Sequence, residues 1–320
     1  MSDVFEEIRG RCAEVERRAR FVRIDDDGLA RFAESLASAS WPEDDLDPAH
    51  HFEGDDETML AFTFLLDAIN FGSGWFPVLT KRAGMSGYRT VATACKNHFE
   101  REGAPDAPRL RAMAAEDMAA LLGQDVRHPE VAELMALFAQ AWRDFGAWLE
   151  RDHGGRYDLA IESVEGSAAR LVDALGTMPL YRDRARYAEL DVPFYKRAQI
   201  TAADLHRAFP DAPWGRFHDL DRLTLFADNL VPHVLRCRGV LDYDEGLLAR
   251  IDRGELLEVG SPAEVEIRAV AVVAVERLVD ALAELGRSTT AHALDGLLWN
   301  AGQAPEIKAH PRHRARCSFY

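Results

Sequence analysis

The chain has 320 residues, a formal net charge of −16 and 48% hydrophobic residues. Six tryptophans and sixteen phenylalanines supply a core, so the composition excludes a disordered protein. The acidic excess disfavours a long nucleic-acid footprint, because duplex and tRNA ligands are held by many Lys and Arg side chains. One phosphate group needs only a few cations, so the composition is compatible with a mononucleotide ligand.

The sequence predicts a cytoplasmic protein. No stretch reaches the roughly 18 uncharged apolar residues that a membrane span requires. The first 20 residues mix both charge signs and lack the pattern of a secretory signal. Four widely separated cysteines predict reduced thiols, with neither a zinc site nor a disulfide framework. They are Cys12, Cys95, Cys237 and Cys317.

Apolar residues spaced by three and four predict helices in the first part of the chain. The first such helix spans residues 4–22, and a second follows Asp25 and runs through residues 29–36. Residues 40–54, which carry two prolines and many acids, predict a loop. A third helix, with its body at residues 59–71, is apolar nearly all round and therefore belongs in a core.

The later part of the chain also predicts helices. Pro129 suits a first helical turn, and a clear apolar stripe follows it at Val131, Leu134, Phe138, Trp142, Phe145 and Leu149. Ser261 and Glu264 predict a capping box at the start of a helix that ends near Gly286. No run predicts strands, and no Gly-rich phosphate loop follows a β-like run, which excludes Rossmann and P-loop folds. The prediction is an all-α fold in a single compact domain over residues 1–320.

Polar residues interrupt two apolar stretches and are candidates for chemistry. Asp67 and Asn70 lie in the apolar helix before a Gly-rich exit, where Trp75 is placed to wall a pocket; the alternative is that they satisfy helix ends. Adjacent Lys196 and Arg197 suit a phosphate group, and the alternative is a solvated basic turn. Just after them, Thr201 predicts a helix cap, with Asp204 three residues on.

Two aspartates in the last third of the chain are further candidates. Asp228 lies in an apolar run, predicted to be helical, that Pro232 interrupts. Desolvation there raises the pKa of a carboxyl group unless a cation or hydrogen bonds hold it ionised. Asp295 and Trp299 share a helix face, which suits a cationic planar ligand; the alternative is a hydrogen bond between them.

Six stretches, spread over residues 51–320, resemble the queuosine salvage family. They are FLLDAINF with the GSGWFP exit, FYKRAQI, TLFADxxVP, EVEIR, LDxxLW and the terminal PRHRxRCxFY. The chain departs from the family pattern at Asn229 and Leu230, where Tyr-Arg is common, and at Asn300, where Asp is common. The resemblance implies a helical fold similar to helix-hairpin-helix DNA glycosylases. It also implies hydrolysis of queuosine 5′-phosphate to release the base queuine.

The resemblance also implies roles for particular residues. Asp228 is the candidate to stabilise or trap the positive charge that develops at C1′ of the ribose. Asp295, with Trp299 beside it, is expected to bind the cationic amine of queuine. Lys196 and Arg197 are expected to bind the 5′-phosphate. The scheme requires no metal or cofactor, and we expect the protein to be a monomer. The base and sugar pocket is expected to be lined by His51, Trp75 and Phe226.

Two other functions compete with this interpretation. His218 and Asp219, together with His51 and Asp295, suggest an HD-type phosphohydrolase in which a metal activates water. Their spacing is poor for that class, because the other histidine lies far upstream. The non-enzymatic alternative is an acidic helical scaffold or base-binding protein.

Overall fold

A computed structural model describes residues 3–42 and 46–320, and within them the chain is mostly helical, as predicted. In chain order the helices are α1 (Val4–Arg18), α2 (Asp26–Ser38), α3 (Asp56–Ala68), α4 (Gly87–Glu102), α5 (Ala107–Arg111), α6 (Ala115–Leu122), α7 (Pro129–His153), α8 (Tyr157–Glu162), α9 (Ala168–Leu175), α10 (Lys196–Ala208), α11 (Val231–Cys237), α12 (Glu245–Asp252), α13 (Pro262–Glu284), α14 (Ala291–Ala301) and α15 (Pro305–Lys308). Within the described ranges, no helix has the length and apolar character needed to cross a bilayer.

Four short strands were not predicted. They are β1 (Val22–Ile24), β2 (Arg184–Tyr187), β3 (Leu190–Pro193) and β4 (Leu241–Tyr243). Strand β1 pairs antiparallel with β4, and β2 pairs antiparallel with β3. Each strand has only three or four residues, which is too short for an alternating pattern to be recognised in the sequence.

The chain divides into two compact units. The first comprises residues 3–42, Asp183–Gln199 and Asp219–Arg316. Its central element is α13, which packs against α1, α2, α11 and α14. Because it has neighbours on several sides, this helix is buried over most of its circumference, from Ala263 to Leu282.

The second unit comprises residues 46–182, Ile200–His218 and Cys317–Tyr320. Its central element is α7, which packs against α3, α5, α6 and α8. The predicted apolar stripe of this helix is entirely buried. Trp142, in the middle of the stripe, donates a hydrogen bond from its indole nitrogen to Leu65 O (2.9 Å).

Helix α1 ends earlier than predicted because a buried carboxylate accepts hydrogen bonds from the backbone of the residues that follow it. Glu266 Oε2 accepts hydrogen bonds from the backbone N–H groups of Arg20 (2.9 Å), Phe21 (2.6 Å) and Val22 (3.2 Å). Its Oε1 accepts one from the Tyr187 hydroxyl (2.8 Å). These N–H groups therefore do not make helical hydrogen bonds, and Val22 belongs to strand β1 instead.

Helix starts were predicted with mixed success. The predicted second and third helices are present, and Asp25 and Asp55 cap them (α2 and α3) through their side chains. The predicted capping box at Ser261 is wrong, because the Ser261 side chain makes no cap hydrogen bond. Glu264 instead accepts a hydrogen bond from the N–H of Gly260, the residue before Ser261 (3.1 Å). Thr201 is also not a cap, since α10 begins five residues earlier and buries it completely.

Candidate active site

The loop before α11 carries Asp228 and is held at both ends. The prediction of a helix here is wrong: residues 223–228 are not helical, and Pro232 stands in the first turn of α11, where proline is favoured. At the start of the loop, Thr224 N–H donates to Gln199 Oε1 (2.8 Å). Two residues later, Phe226 N–H donates to Asp295 Oδ1 (3.2 Å).

The two carboxylate oxygens of Asp228 have different roles. Its Oδ1 accepts hydrogen bonds from the N–H groups of Leu230 (2.7 Å) and Val231 (3.0 Å), which hold the start of α11. Its Oδ2 accepts none from the described part of the chain. The side chain is half-buried. The carboxylate is thus fixed in orientation through one oxygen, and the other remains available for a ligand.

Asp295 and Trp299 lie one turn apart on α14, as predicted. Asp295 is buried, with 6% of its surface exposed, and Trp299 is half-buried. Through its bond to Phe226 N–H, Asp295 joins this helix to the Asp228 loop. The structure therefore brings together three of the predicted site residues: Phe226, Asp228 and Asp295.

Lys196 and Arg197 are buried, with 5% and 2% of their surfaces exposed, so the alternative of a solvated basic turn is wrong. Lys196 begins α10, and its N–H donates to Asp183 Oδ2 (3.1 Å). Tyr195 precedes it with a positive φ of 47°, a conformation that non-glycine residues rarely adopt. Two cations held this deep in an acidic chain need anionic partners, in the protein or in a ligand.

Arg268 connects these elements, although its sequence context predicted no role for it. Its Nη1 and Nη2 bind Asp183 Oδ1 (3.0 Å) and Oδ2 (2.6 Å) in a bidentate pair. Its Nε donates to Ala227 O (2.9 Å), and its guanidinium carbon lies 3.9 Å from the centre of the Phe194 ring. The only sequence signal was the EVEIR stretch, in which Arg268 is the last residue.

The segment after α15 runs beside the Asp228 loop. Asn229 Nδ2 donates to His313 O (3.2 Å). Burial lowers the pKa of Arg312, and the charge of Asp228 opposes that shift, which places a cation near the carboxylate. Burial also lowers the pKa of His313 to about 3, with the charges of Arg312 and Arg268 acting in the same direction.

His51 and Trp75 belong to the second unit. The half-buried His51 ring has Nδ1 at 3.0 Å from Asp47 O and lies edge-on to Phe62. Trp75 is 2% exposed and donates from Nε1 to Glu133 Oε2 (2.8 Å). Their proposed place in the base and sugar pocket stays a prediction.

The second unit also contains a buried charged group that includes Asp67, one of the polar residues that the sequence marks as a candidate for chemistry. Asp204 pairs with Arg207 (2.7 Å), and Asp67 is 1% exposed. Burial, with the charges of these two aspartates, raises the pKa of Tyr88 well above its usual value. Since these residues are far apart in sequence, only the fold could have indicated the grouping.

The described ranges contain no group of three or more His, Cys, Asp or Glu side chains arranged to hold a metal ion. Of the residues that suggested a phosphohydrolase, His218 lies in the second unit and Asp219 in the first. The His218 N–H donates to Gly166 O (2.9 Å), an ordinary structural role for its backbone.

The molecule is thus a mostly helical protein whose first unit gathers buried cations and carboxylates around one anchored loop. The family described as queuosine salvage protein matches residues 50–320, and the chain belongs to this family. It is 36% identical to a relative from Sphaerobacter thermophilus over 312 residues, which cover 96% of this chain and 95% of the relative. Relatives from Mus musculus and Bos taurus are each 30% identical and cover 96% of both chains. All three are named queuosine 5′-phosphate N-glycosylase/hydrolase.

Proposed function

We propose that this chain hydrolyses the N-glycosidic bond of queuosine 5′-phosphate and releases the base queuine for salvage. The observation that carries the proposal is the similarity over nearly the whole length to relatives that bear this name, at 36% identity for the Sphaerobacter protein. The anchored carboxylate of Asp228 supports the same reaction, because base removal needs a negative charge close to the sugar.

In this reaction the bond between C1′ and the base nitrogen breaks, water supplies the hydroxyl group that C1′ gains, and the remaining proton of the water goes to the base nitrogen. The transition state carries positive charge on the ribose. A carboxylate held in place before the reaction stabilises this charge without having to reorganise. Asp228 fits that requirement, since two backbone N–H groups fix one of its oxygens and leave Oδ2 for the sugar.

The remaining predicted residues supply binding. Buried Lys196 and Arg197 are proposed to hold the 5′-phosphate, because desolvated cations bind phosphate oxygens strongly. Asp295 is proposed to bind the cationic amine of queuine, with Trp299 along the ring. Phe226, His51 and Trp75 are proposed to line the pocket for base and sugar.

The broader properties of the protein stay predictions. We propose that the helical fold is similar to helix-hairpin-helix DNA glycosylases, and that residues 1–320 form one domain. The family match supports the second point, since it covers residues of both units. We expect a cytoplasmic monomer that binds queuosine 5′-phosphate and queuine but no long nucleic acid.

The test is base release by the purified protein. Queuosine 5′-phosphate and ordinary nucleotides are incubated with it, with and without EDTA, and the products are identified by mass spectrometry. We expect release of a free base only from queuosine 5′-phosphate, with equal amounts of queuine with and without the chelator. Absence of queuine refutes the proposed function, and loss of activity in EDTA that a divalent ion restores favours the phosphohydrolase.

Asp228→Asn tests the proposed catalytic carboxylate. Removing the charge should lower kcat by roughly 10²-fold or more, the range seen when a key electrostatic group is lost. The matched control is Asp244→Asn, because Asp244 Oδ1 accepts from Gly246 N–H (2.9 Å) and Leu247 N–H (3.2 Å) in the same way at the start of α12. The control should keep kcat. Cleavage near the wild-type rate by folded Asp228→Asn would eliminate Asp228 as the catalytic group.

A further inference from the structure

Arg268 binds two chain segments that are far apart in sequence and that both carry proposed site residues. One segment ends at Ala227, whose carbonyl oxygen accepts from Arg268 Nε (2.9 Å). The other contains Asp183, whose carboxylate accepts from both terminal nitrogens of the same guanidinium (3.0 and 2.6 Å). The arginine is 1% exposed and projects from α13, the central helix of its unit.

On one side, the contact continues to Asp228. The Ala227 carbonyl and the Asp228 N–H belong to one planar peptide group. A hydrogen bond that fixes the carbonyl therefore fixes the plane from which the Asp228 side chain starts. The Asp228 carboxylate is then held from the other direction by the start of α11.

On the other side, the contact continues to Lys196. Asp183 Oδ2 accepts from Lys196 N–H (3.1 Å), and Asp183 O accepts from Phe194 N–H (2.9 Å). Tyr195, between these two residues, has a positive φ of 47°. Such a backbone conformation persists only where surrounding contacts hold it, and here Asp183 holds the residues on both sides of it.

We propose that Arg268 is a positioning residue, which sets the separation between the Asp228 carboxylate and the Lys196 start of α10. A guanidinium suits this task, because its N–H groups point in fixed directions within one plane, whereas a lysine ammonium is a single point charge. This inference rests on the function proposed above, since the separation matters only if Asp228 acts on the sugar while Lys196 holds its phosphate.

The competing explanation is purely structural. Asp183 and Glu264 are both buried, and Arg268 Nη1 lies 3.9 Å from Glu264 Oε1, so the arginine also balances their charges. Arg268→Lys separates the two roles, because it keeps the positive charge but cannot bind Ala227 O and both Asp183 oxygens together.

We expect folded Arg268→Lys to show about a 10²-fold lower kcat, the size of effect that a misplaced catalytic group produces. It should also show a several-fold higher KM for queuosine 5′-phosphate. Replacing Lys196 by Ala should then raise KM less in this variant than in the wild-type protein, because the phosphate contact is already displaced. A charge-balancing role predicts a lower Tm with kcat and KM unchanged.

The matched control is Glu266→Gln, two residues away on the same helix. Glu266 is equally buried, and its bonds go to Arg20, Phe21, Val22 and Tyr187 rather than to the proposed site. Its replacement should lower Tm while each folded molecule keeps its kcat. This control shows what damage to the buried polar part of α13 does to activity by itself.

Phe194→Leu serves as a second variant if Arg268→Lys fails to fold. It keeps an apolar side chain but removes the ring that lies 3.9 Å from the guanidinium. We expect kcat/KM to fall about 3- to 10-fold, a fraction of the loss expected from full misplacement. Wild-type kcat and KM in either folded variant overturn the inference alone. A wild-type protein that releases no queuine overturns the proposed function first, and the inference with it.

Discussion

Acid should weaken the fold in part through the buried side chain of His233. Its Nε2 donates to Ile307 O (3.0 Å) and its Nδ1 accepts from Arg236 Nη2 (3.2 Å), an arrangement that requires the neutral ring. Burial lowers the pKa of His233 from 6.5 to about 4, and the charges of Arg236, Arg312 and His310 act in the same direction.

The sign and size of the effect follow from this shift. The unfolded chain takes up the proton near pH 6.5, whereas the folded protein resists it down to about pH 4. The stability that neutral His233 contributes is therefore complete above pH 6.5 and is lost progressively as the pH falls through this window. Between pH 7 and pH 4.5 the loss amounts to about 2–3 kcal/mol.

The measurement is urea unfolding at both pH values for the wild-type protein and His233→Gln. A glutamine amide can still donate to Ile307 O but does not titrate, so the variant should lose about 2–3 kcal/mol less on acidification. His128→Gln, at an exposed position before α7, should respond to pH as the wild-type protein does. An equal loss in His233→Gln and the wild-type protein would refute the reasoning.

Two further predictions concern ligand binding. Replacing Lys196 and Arg197 by Ala should raise the KM for queuosine 5′-phosphate at least tenfold more than the KM for the unphosphorylated nucleoside. The reason is that charge-assisted hydrogen bonds to the phosphate contribute roughly 1.5–3 kcal/mol each. Equal increases in KM for both substrates would rule out the phosphate role. Asp295→Asn should weaken queuine binding about tenfold in equilibrium titration. Its Tm should be preserved, because the amide oxygen still accepts a hydrogen bond from Phe226 N–H. Unchanged affinity for queuine would exclude the proposed contact with the amine.

The helices were predictable where their signals are local. The stripe of α7 repeats every three to four residues, and α2 and α3 each begin with an aspartate cap. Strand β1 was not predictable, because its partner residues, such as Tyr243 opposite Val22, lie far along the chain. Only tertiary pairing decides that these short segments are extended.

The candidate site shows the same division. Adjacent Lys196 and Arg197, and the spacing of Asp295 and Trp299, are visible in the sequence. The conformation around Asp228 was predicted wrongly, because an apolar run before a proline suits a helix end as well as the loop before a new helix. The bonds of Arg268 to the Asp228 loop span 41 residues and those to Asp183 span 85, so no local pattern could indicate them.

The bond between Glu266 and the residues after α1 has a consequence for the order in which the protein folds during synthesis. Val22 and Glu266 are 244 residues apart. At ribosomal rates of about 5–20 residues per second, Glu266 is synthesised roughly 10–50 s after the residues following α1 that its carboxylate binds. Most of the second unit is one continuous stretch, residues 46–182, and emerges during that interval. The apolar face of α1, with Phe5, Ile8 and Cys12, therefore lacks α13, its main packing partner, on the nascent chain until that helix is made.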